Sequence, residues 1–239
     1  MSLELLGDGF DLHCGGADLR FPHHENERAQ AVALGRPFAR HWMHNGFVVD
    51  VEGEKMSKSL GNVTNLLDLL DLYDPRAYRM LLLQTHYRSP VKVGQDNIDA
   101  SVNALAGLDA FAARSAGVRA ASDPAVLAQF RALMDNDLDT PQAMGLIFDT
   151  VRQANGAIDA GDATAGALVG AVHEICGALG LTLVAASEVD ATAQAKAAAL
   201  DAARAAKDFA TADALRAELQ ADGWLVETTK QGTALRRTT

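Results

Sequence analysis

The spacing of apolar residues divides the chain into two parts with different patterns. Residues 1 to about 100 mix short apolar runs with glycine, histidine and aromatic residues, whereas the rest is alanine-rich and follows a helical period. In residues 140–158 the apolar positions step by 3, 4, 3 and 4 along one face: Met144, Ile147, Val151, Ala154 and Ile158. We expect a helix here, with Thr140 as its N-cap and Pro141 at its first position.

Two further apolar stripes predict two more helices. The first ends near Gly180 and consists of Val169, Val172, Cys176 and Leu179. The second ends near Gly223 and consists of Phe209, Ala212, Arg216 and Leu219. Because Cys176 belongs to an apolar stripe, we interpret it as a core residue.

The segments around these helices carry weaker signals. Residues 181–195 show no firm period, so we interpret them as a linker. Gly232 lies between two runs that tolerate β-structure, which predicts a short hairpin over residues 224–237.

The string FPHHENE at residues 21–27 opens a predicted helix that runs from Pro22 to about Leu34. On such a helix His23 and Glu27 are four positions apart, so two metal-capable side chains share one face. Acidic residues also suit a first helical turn, and two ligands do not complete a zinc site. The pattern alone therefore leaves a metal site and an ordinary helix start both open.

Just upstream, FDLHCGGADL predicts a strand that ends in a glycine turn. Gly15 and Gly16 would let a ligand approach the backbone, and Asp18 would hydrogen-bond a ribose hydroxyl at the carboxyl end of the strand. A tight turn capped by Asp18 explains the same motif equally well.

Composition and charge narrow the class of protein. The chain has 239 residues, a formal net charge of −10 and two cysteines, Cys14 and Cys176, with no CxxC pair. We therefore expect no disulfide framework, no membrane span and a cytoplasmic location. The acidic charge disfavours indiscriminate binding to phosphate backbones, although Lys230, Arg236 and Arg237 form a small basic patch.

Residues 53–62, GEKMSKSLGN, predict a polar loop before a helix that starts near Thr64. Lys55 and Lys58 flank Met56 and Ser57 in this loop. An ammonium about 4 Å from a phosphate charge contributes roughly 4 kcal/mol at an effective dielectric near 20, so a lysine that reaches a leaving pyrophosphate would raise the rate. The string KMSKS resembles the signature of class I aminoacyl-tRNA synthetases.

Successive segments over nearly the whole chain resemble, in order, the motifs of the cysteinyl-tRNA synthetase family: FDLHCGGADLRFPHHENERAQ, WMHNGFV, EKMSKSLGN, YDPRAYRMLLLQTHYRSP, MDNDLDTPQA, KDFATADALRAEL and QGTALRR. The resemblance implies a mostly α protein. It would contain an α/β partial Rossmann fold, the second half of a class I catalytic domain, followed by an all-α helical bundle and a small α+β C-terminal module.

The resemblance also implies four regions along the chain. Residues 1–50 would be the truncated catalytic domain, and residues 51–98 the KMSKS loop and stem-contact region. Residues 99–182 would form a helical bundle of the tRNA-binding type. Residues 183–239 would contain a linker, helices and an anticodon-binding hairpin.

The resemblance further implies one Zn²⁺ site, ATP with Mg²⁺, and cysteine and tRNA-Cys as partners. In the family, the positions of His23 and Glu27 supply two of four zinc ligands, the other two are cysteines upstream, and the zinc binds the thiol of the substrate. His24 and Glu25 would support these ligands. The remaining implied roles are catalysis by Lys55 and Lys58, ATP binding by Gly15, Gly16, Asp18, Met56 and Ser57, and RNA contact by Lys230, Gln231, Arg236 and Arg237.

The sequence also departs from the family pattern. The HIGH motif and both zinc cysteines are missing, so we expect low zinc occupancy and no adenylation by the isolated chain. We also expect association, as a homo-oligomer or with a complementary chain, through the strand edge and apolar surface that the missing half would cover. Thr228 and Leu235 differ from the family residues at the anticodon module, which weakens the expected anticodon contact.

Three functions therefore remain open. The chain is a portion of a cysteine–tRNA ligase, a member of the related mycothiol-pathway ligases that join cysteine to an amino sugar, or a non-catalytic paralogue that binds tRNA or protein. The terminal helices and QGTALRR resemble a tRNA-reading module, which a sugar ligase does not need.

Overall fold

The computed structural model describes residues 1–50, 52–54, 56, 66–185, 191–229 and 232–237. Its helices are α1 Ser2–Leu6, α2 Glu25–Ala33, α3 Leu66–Leu72, α4 Pro75–Leu83, α5 Gln95–Arg114, α6 Pro124–Asp135, α7 Thr140–Ala160, α8 Ala165–Ala178, α9 Ala191–Ala205 and α10 Phe209–Ala221. Its strands are β1 Leu12–Gly16, β2 His41–Asn45, β3 Val48–Val49, β4 Val91–Lys92, β5 Trp224–Thr229 and β6 Gly232–Arg237.

The chain forms two compact units. The first contains Met1–Leu108 and Gly117–Leu183, and the second contains Asp109–Ala116 and Val184–Thr239. Within the described residues, no helix has both the length and the apolar character needed to cross a membrane.

The first unit begins with a parallel pair of strands. β1 runs beside β2, with His13 opposite Trp42 and Gly15 opposite His44. Parallel neighbours need a crossover connection, and α2 lies in the segment that joins these strands. The predicted strand that ends in a glycine turn is confirmed, since β1 ends at Gly16 and a short 3₁₀ turn follows it.

The helix predicted from Pro22 starts later than expected. Residues Arg20–His24 form an irregular turn with a kink at Phe21, and the α-helix begins at Glu25. Phe21 is extended at φ −142° and ψ 133°, which agrees with the restriction that a proline places on the residue before it. The predicted end is confirmed, because α2 ends at Ala33 and Gly35 follows with φ +68°.

A second parallel pair lies further along the first unit. β3 pairs with β4 through Val48 opposite Val91 and Val49 opposite Lys92. An apolar cluster supports this pair and the helices around it, and consists of Leu69, Leu81, Val91, Val93 and Ile98. The string KMSKS at residues 55–59 is named the double-lysine motif, after Lys55 and Lys58. The Met56 side chain packs against the apolar cluster, so this residue of the motif is anchored by packing.

The helical part of the first unit confirms the two stripes that predicted it. On α7 the buried residues include Met144, Ile147 and Ala154, while Val151 and Ile158 are half-buried. On α8 the residues Val169, Val172 and Cys176 are fully buried, which confirms Cys176 as a core residue. The predicted N-cap is wrong by one residue, because the carboxylate of Asp139 accepts from the backbone N–H of Gln142 at 3.2 Å.

The second unit contains the predicted hairpin. β5 and β6 are antiparallel, with Thr229 opposite Gly232 at the turn. The linker predicted over residues 181–195 is wrong from Ala191 onward, where α9 begins. The buried positions of α9 are Ala193, Ala197, Leu200 and Ala203. Most of them are alanines, which stand out little in a hydropathy pattern. The stripe predicted on α10 is wrong at two positions, because Phe209 is 66% exposed and Arg216 is exposed. The core face of α10 consists of Ala212, Leu215 and Leu219.

Besides the apolar contacts, a carboxylate of α9 binds the hairpin. Asp201 accepts a hydrogen bond from the backbone N–H of Thr233 at 2.8 Å and from its hydroxyl at 2.6 Å. These hydrogen bonds lower the pKa of Asp201 below its ordinary value of 3.8. A carboxylate with a lowered pKa stabilises the fold at neutral pH, and this contribution disappears as the pH falls through that lowered pKa.

We predict that Asp201→Ala lowers the free energy of unfolding of the second unit by about 1–3 kcal/mol, because Thr233 loses both acceptors. Urea unfolding followed by Trp224 fluorescence measures this in a Trp42→Phe background, where Trp224 is the remaining tryptophan. Asp213→Ala, an exposed carboxylate on α10, is the matched control. Equal midpoints for the two variants would contradict the prediction, as would an unchanged acid sensitivity in Asp201→Ala.

Candidate metal centre

The candidate site is built where β1, β2 and the start of α2 meet. β1 contributes His13, β2 contributes His44, the turn before α2 contributes His23 and His24, and the first turn of α2 contributes Glu27. Parallel strands tend to place their ligand sites at their carboxyl ends, and Gly16 and Asn45 close these two strands.

Three side chains form the closest metal-capable group within the described residues. One ligand atom from each of His13, His24 and Glu27 lies within 4.8 Å of the other two. His13 Nε2 donates to Glu27 Oε2 at 2.8 Å. Imidazole nitrogen and carboxylate oxygen are both ordinary ligands of zinc, so the chemistry of this donor set fits that metal.

Glu27 presents its second oxygen to a different histidine. His23 Nε2 lies 3.8 Å from Glu27 Oε1, as the i, i+4 spacing predicted. The His23 side chain is 60% exposed, whereas that of Glu27 is 29% exposed. The two carboxylate oxygens therefore divide between an inner histidine, His13, and an outer one, His23.

His24 is the most enclosed member of the group. It is 4% exposed, and its Nδ1 lies 2.9 Å from Nε2 of His44. Burial lowers the pKa of His24, and the neighbouring His13 and His44 lower it further. A lowered pKa favours the neutral imidazole at neutral pH, which is the protonation state that binds metals.

Aromatic rings enclose His13 on its inner side. The ring centroids of Phe10, Phe38 and Trp42 lie 5.8, 5.4 and 5.0 Å from that of His13. An apolar wall of this kind limits solvent and strengthens electrostatic interactions beside it.

Gly15 has a packing role in this arrangement. A Cβ atom at Gly15 would lie 2.7 Å from Cε1 and 3.0 Å from Nε2 of His24. Gly16 is similarly close to Asp18, since a Cβ there would lie 2.5 Å from the Asp18 carboxylate. The Asp18 side chain therefore folds back over the turn, and the ATP-binding role of these three residues remains a prediction.

The other predicted site residues are placed as follows. Glu25 is exposed and lies 3.9 Å from Nη1 of Arg28, so its support of the ligands remains a prediction. Met56 lies beside β3, where its N–H donates to the Val48 carbonyl at 3.0 Å. Arg236 and Arg237 belong to β6. The predictions for Lys55, Ser57, Lys58, Lys230 and Gln231 lie outside the described residues.

Sequence reasoning missed His13 and His44. Their contribution depends on the parallel register of β1 and β2, which joins positions about 30 residues apart in the sequence. The available signal was local: histidines on short strands that flank a helix already carrying two histidines and two glutamates.

Comparisons with known proteins define the class. A family model described as tRNA synthetases class I (C) catalytic domain matches residues 1–103, and a model described as DALR domain matches residues 129–184. Among solved structures, LeuRS of Agrobacterium radiobacter K84 in a ternary complex with tRNA and LeuAMS shares 20% identity at a TM-score of 0.55, covering 72% of this chain and 26% of that chain. Mycobacterium tuberculosis methionyl-tRNA synthetase in complex with methionyl-adenylate shares 19% identity at a TM-score of 0.50, covering 72% and 40%. The fold is that of a class I aminoacyl-tRNA synthetase, which confirms the predicted partial Rossmann fold with a helical bundle.

Curated relatives identify the family within this class. A cysteine–tRNA ligase of Geobacter sulfurreducens is 40% identical over 269 residues, covering 98% of this chain and 55% of the relative. One from Kocuria rhizophila is 43% identical over 249 residues, covering 98% and 52%. The chain belongs to the cysteinyl-tRNA synthetase family, and it spans about half the length of the curated relatives it matches.

We predict that Gly15→Ala disturbs the site without unfolding the chain, because the new methyl group would collide with the His24 ring. The expected result is a weaker affinity for Co²⁺, by about 10-fold or more, measured by the visible absorption of the bound ion. Gly145→Ala on α7, where a Cβ meets no atom within 4 Å, is the control. An affinity equal to that of the control would show that Gly15 is not needed to seat His24.

Proposed function

We propose that this chain carries the metal-binding and double-lysine segments of a cysteine–tRNA ligase, which adenylates cysteine with ATP and transfers it to tRNA-Cys. The single observation that supports this most strongly is the division of the Glu27 carboxylate between His13 and His23. Membership of the family supports the reaction class. The activity, substrates and partners of the whole enzyme are part of the proposal.

We assign the metal to His23 and Glu27 Oε1, at the exposed side of the cluster. A catalytic zinc site keeps a position open for substrate, and His23 is the solvent-accessible histidine beside Glu27. Zinc, when bound, supplies a soft Lewis acid that favours the thiolate of cysteine over the hydroxyl of serine.

The inner residues of the cluster hold the ligands in place. His13 donates to Oε2 of Glu27 and so fixes the carboxylate plane. His44 fixes the ring of His24 from the opposite strand. The aromatic wall behind His13 limits the access of water from this side, which strengthens the hydrogen bond between His13 and Glu27.

The remaining roles follow from the family resemblance. Lys55 and Lys58 would stabilise the pyrophosphate that leaves ATP, which binds with Mg²⁺. The ATP itself would contact Met56, Ser57, Gly15, Gly16 and Asp18. Lys230, Gln231, Arg236 and Arg237 would contact the RNA.

A second candidate function is a tRNA- or protein-binding module without catalysis. It is favoured by the second compact unit, which has its own apolar core and carries the strand with Arg236 and Arg237. The two candidates differ in one measurable property, which is cysteine-dependent exchange between ATP and pyrophosphate.

We predict how substitutions rank in a zinc competition assay with the intact chain. Glu27→Ala abolishes binding, and His23→Ala weakens it by about 100-fold, because each removes a ligand. His13→Ala weakens binding by about 10-fold, because it releases Glu27 from its orientation. His41→Ala, an exposed histidine at the start of β2, leaves the affinity unchanged.

The opposite ranking would overturn the assignment. If His23→Ala binds zinc like the unsubstituted chain while His13→Ala and His24→Ala do not bind it, the metal belongs to the inner group of His13, His24 and Glu27 instead.

The reaction class is tested by pyrophosphate exchange. We mix the chain with a polypeptide that contains the amino-terminal half of the Geobacter sulfurreducens relative, and we expect cysteine-dependent exchange that Lys55→Ala and Lys58→Ala reduce. Measurements of tRNA binding at two salt concentrations accompany the assay. Persistent tRNA binding with no exchange in the mixture would favour the non-catalytic module.

We also propose that the chain associates through its amino-terminal region, either with itself or with a complementary chain. Large apolar residues there are exposed: Leu5 by 78%, Leu6 by 64%, Leu12 by 51%, Phe21 by 76% and Leu34 by 72%. Within the described residues β1 pairs with β2 and with no other strand, so its second edge offers a template for another strand.

We therefore expect sedimentation at tens of micromolar to show a species larger than the monomer. Leu12→Glu should shift the distribution towards the monomer, whereas Val184→Glu, an exposed apolar residue outside this region, should not. A strictly monomeric species for the unsubstituted chain would refute the association.

A further inference from the structure

Asp137 lies in the short loop between α6 and α7 and binds three consecutive residues of a distant segment. Arg88 donates to it through Nε at 2.6 Å and Nη2 at 2.9 Å, one to each carboxylate oxygen. The Tyr87 hydroxyl donates to Oδ1 at 2.6 Å. His86 Nε2 lies 3.1 Å from the backbone carbonyl of Asp137.

This arrangement is more specific than an ordinary surface ion pair. Exposed single pairs contribute little, whereas a bidentate arginine fork fixes both distance and direction. The rings also stack: His86 lies on Tyr87 with centroids 4.9 Å apart, and the Arg88 guanidinium lies 5.0 Å from the Tyr87 ring centroid.

The backbone at Asp137 adopts a conformation that L residues rarely use. Asp137 has φ +57° and the following Leu138 has φ +56°. Such residues persist where the surrounding contacts determine them. Here the left-handed turn lets the carboxylate and the carbonyl of one residue both meet the segment 86–88.

The same segment presses against the end of β2. The Gly46 N–H donates to the Tyr87 carbonyl at 2.7 Å. The Ser89 carbonyl is so close that a Cβ atom at Gly46 would collide with it. The chain then continues into β4, where Val91 N–H donates to Phe47 at 2.8 Å and Val93 N–H donates to Val49 at 2.9 Å.

β3 connects β4 to Met56 of the double-lysine motif by hydrogen bonds. On one side β3 pairs with β4, and on the other its Val48 carbonyl accepts from the N–H of Met56 at 3.0 Å. A turn joins β3 to Met56, and in it the Asp50 N–H donates to the Glu54 carbonyl at 3.0 Å. Met56 is therefore two hydrogen-bonded strands away from the segment that Asp137 binds.

We propose that Asp137 is a positioning residue that anchors Met56, which lies between Lys55 and Lys58 in the sequence, to the α6–α7 loop. The functional consequence rests on the proposed ligase activity, whereas the anchoring itself does not. The Asp137 carboxylate binds Tyr87 and Arg88, and these residues lead into β4, which pairs with β3. In this proposal Asp137 contacts no reacting atom.

Amide hydrogen exchange of the intact chain tests the anchoring. Asp137→Asn should speed exchange at the Gly46 and Met56 amides by about 10-fold or more, because both depend on the placement of β4 and the segment before it. The amides of β1 and β2 should keep their rates, which a general loss of stability would not allow. Tyr87→Phe removes one hydrogen bond and should give a smaller change of the same pattern.

The matched control is Asp162→Asn, a carboxylate in the same unit that accepts from the N–H and hydroxyl of Thr164 at 2.8 and 2.9 Å. It should leave Gly46 and Met56 unchanged. Unchanged exchange at Met56 in Asp137→Asn would overturn the proposal, and so would a uniform increase across β1 and β2.

A second measurement links the anchor to the reaction. In the mixture that supports pyrophosphate exchange, Asp137→Asn should lower kcat at least 10-fold while the KM for cysteine stays constant, since the metal cluster is not altered. Faster exchange at Met56 with an unchanged kcat would refute the positioning role. If the mixture with the unsubstituted chain has no activity, the proposed function is refuted. The anchoring of Met56 is then tested by the hydrogen exchange of its amide alone.

Discussion

The parallel pairing of β1 with β2 is the constraint on which the candidate site depends. This register puts His13 and His44 on neighbouring strands, while the crossover between them supplies His23, His24 and Glu27. The 2.9 Å contact between His24 and His44 ties the crossover turn to the second strand. A slip of one strand by one residue would put His13 and His44 on opposite faces of the sheet and separate the cluster.

Within the cluster, one histidine orients the Glu27 carboxylate and another lies beside its free oxygen. His13 holds one oxygen of Glu27 against an aromatic wall, and His23 faces the other oxygen from the solvent side. We propose that this division would suit a metal site with an open position, because a hydrogen bond to one carboxylate oxygen would orient the other towards the metal. In the proposed function, the preference of zinc for sulfur ligands would distinguish cysteine from serine without a second, editing site.

Local patterns were sufficient for part of this structure. The i, i+4 relation of His23 and Glu27, the stripes on α7 and α8, and the hairpin around Gly232 follow from spacing within one element. His13, His44 and Asp137 were not predicted, because each acquires its role from a residue at least 14 positions away in the sequence. The start of α9 was missed for a different reason, since its core is formed largely by alanines.

The central proposal is that a metal bound at Glu27 would coordinate the thiol of cysteine. Zinc X-ray absorption of a Cys14→Ser variant tests it most directly, because Cys176 is buried and added cysteine is then the accessible source of sulfur. With cysteine we expect a sulfur neighbour at about 2.3 Å from zinc, and with serine only nitrogen and oxygen neighbours at about 2.0–2.2 Å. Identical spectra with cysteine and serine, in a sample where zinc is bound, would contradict the account.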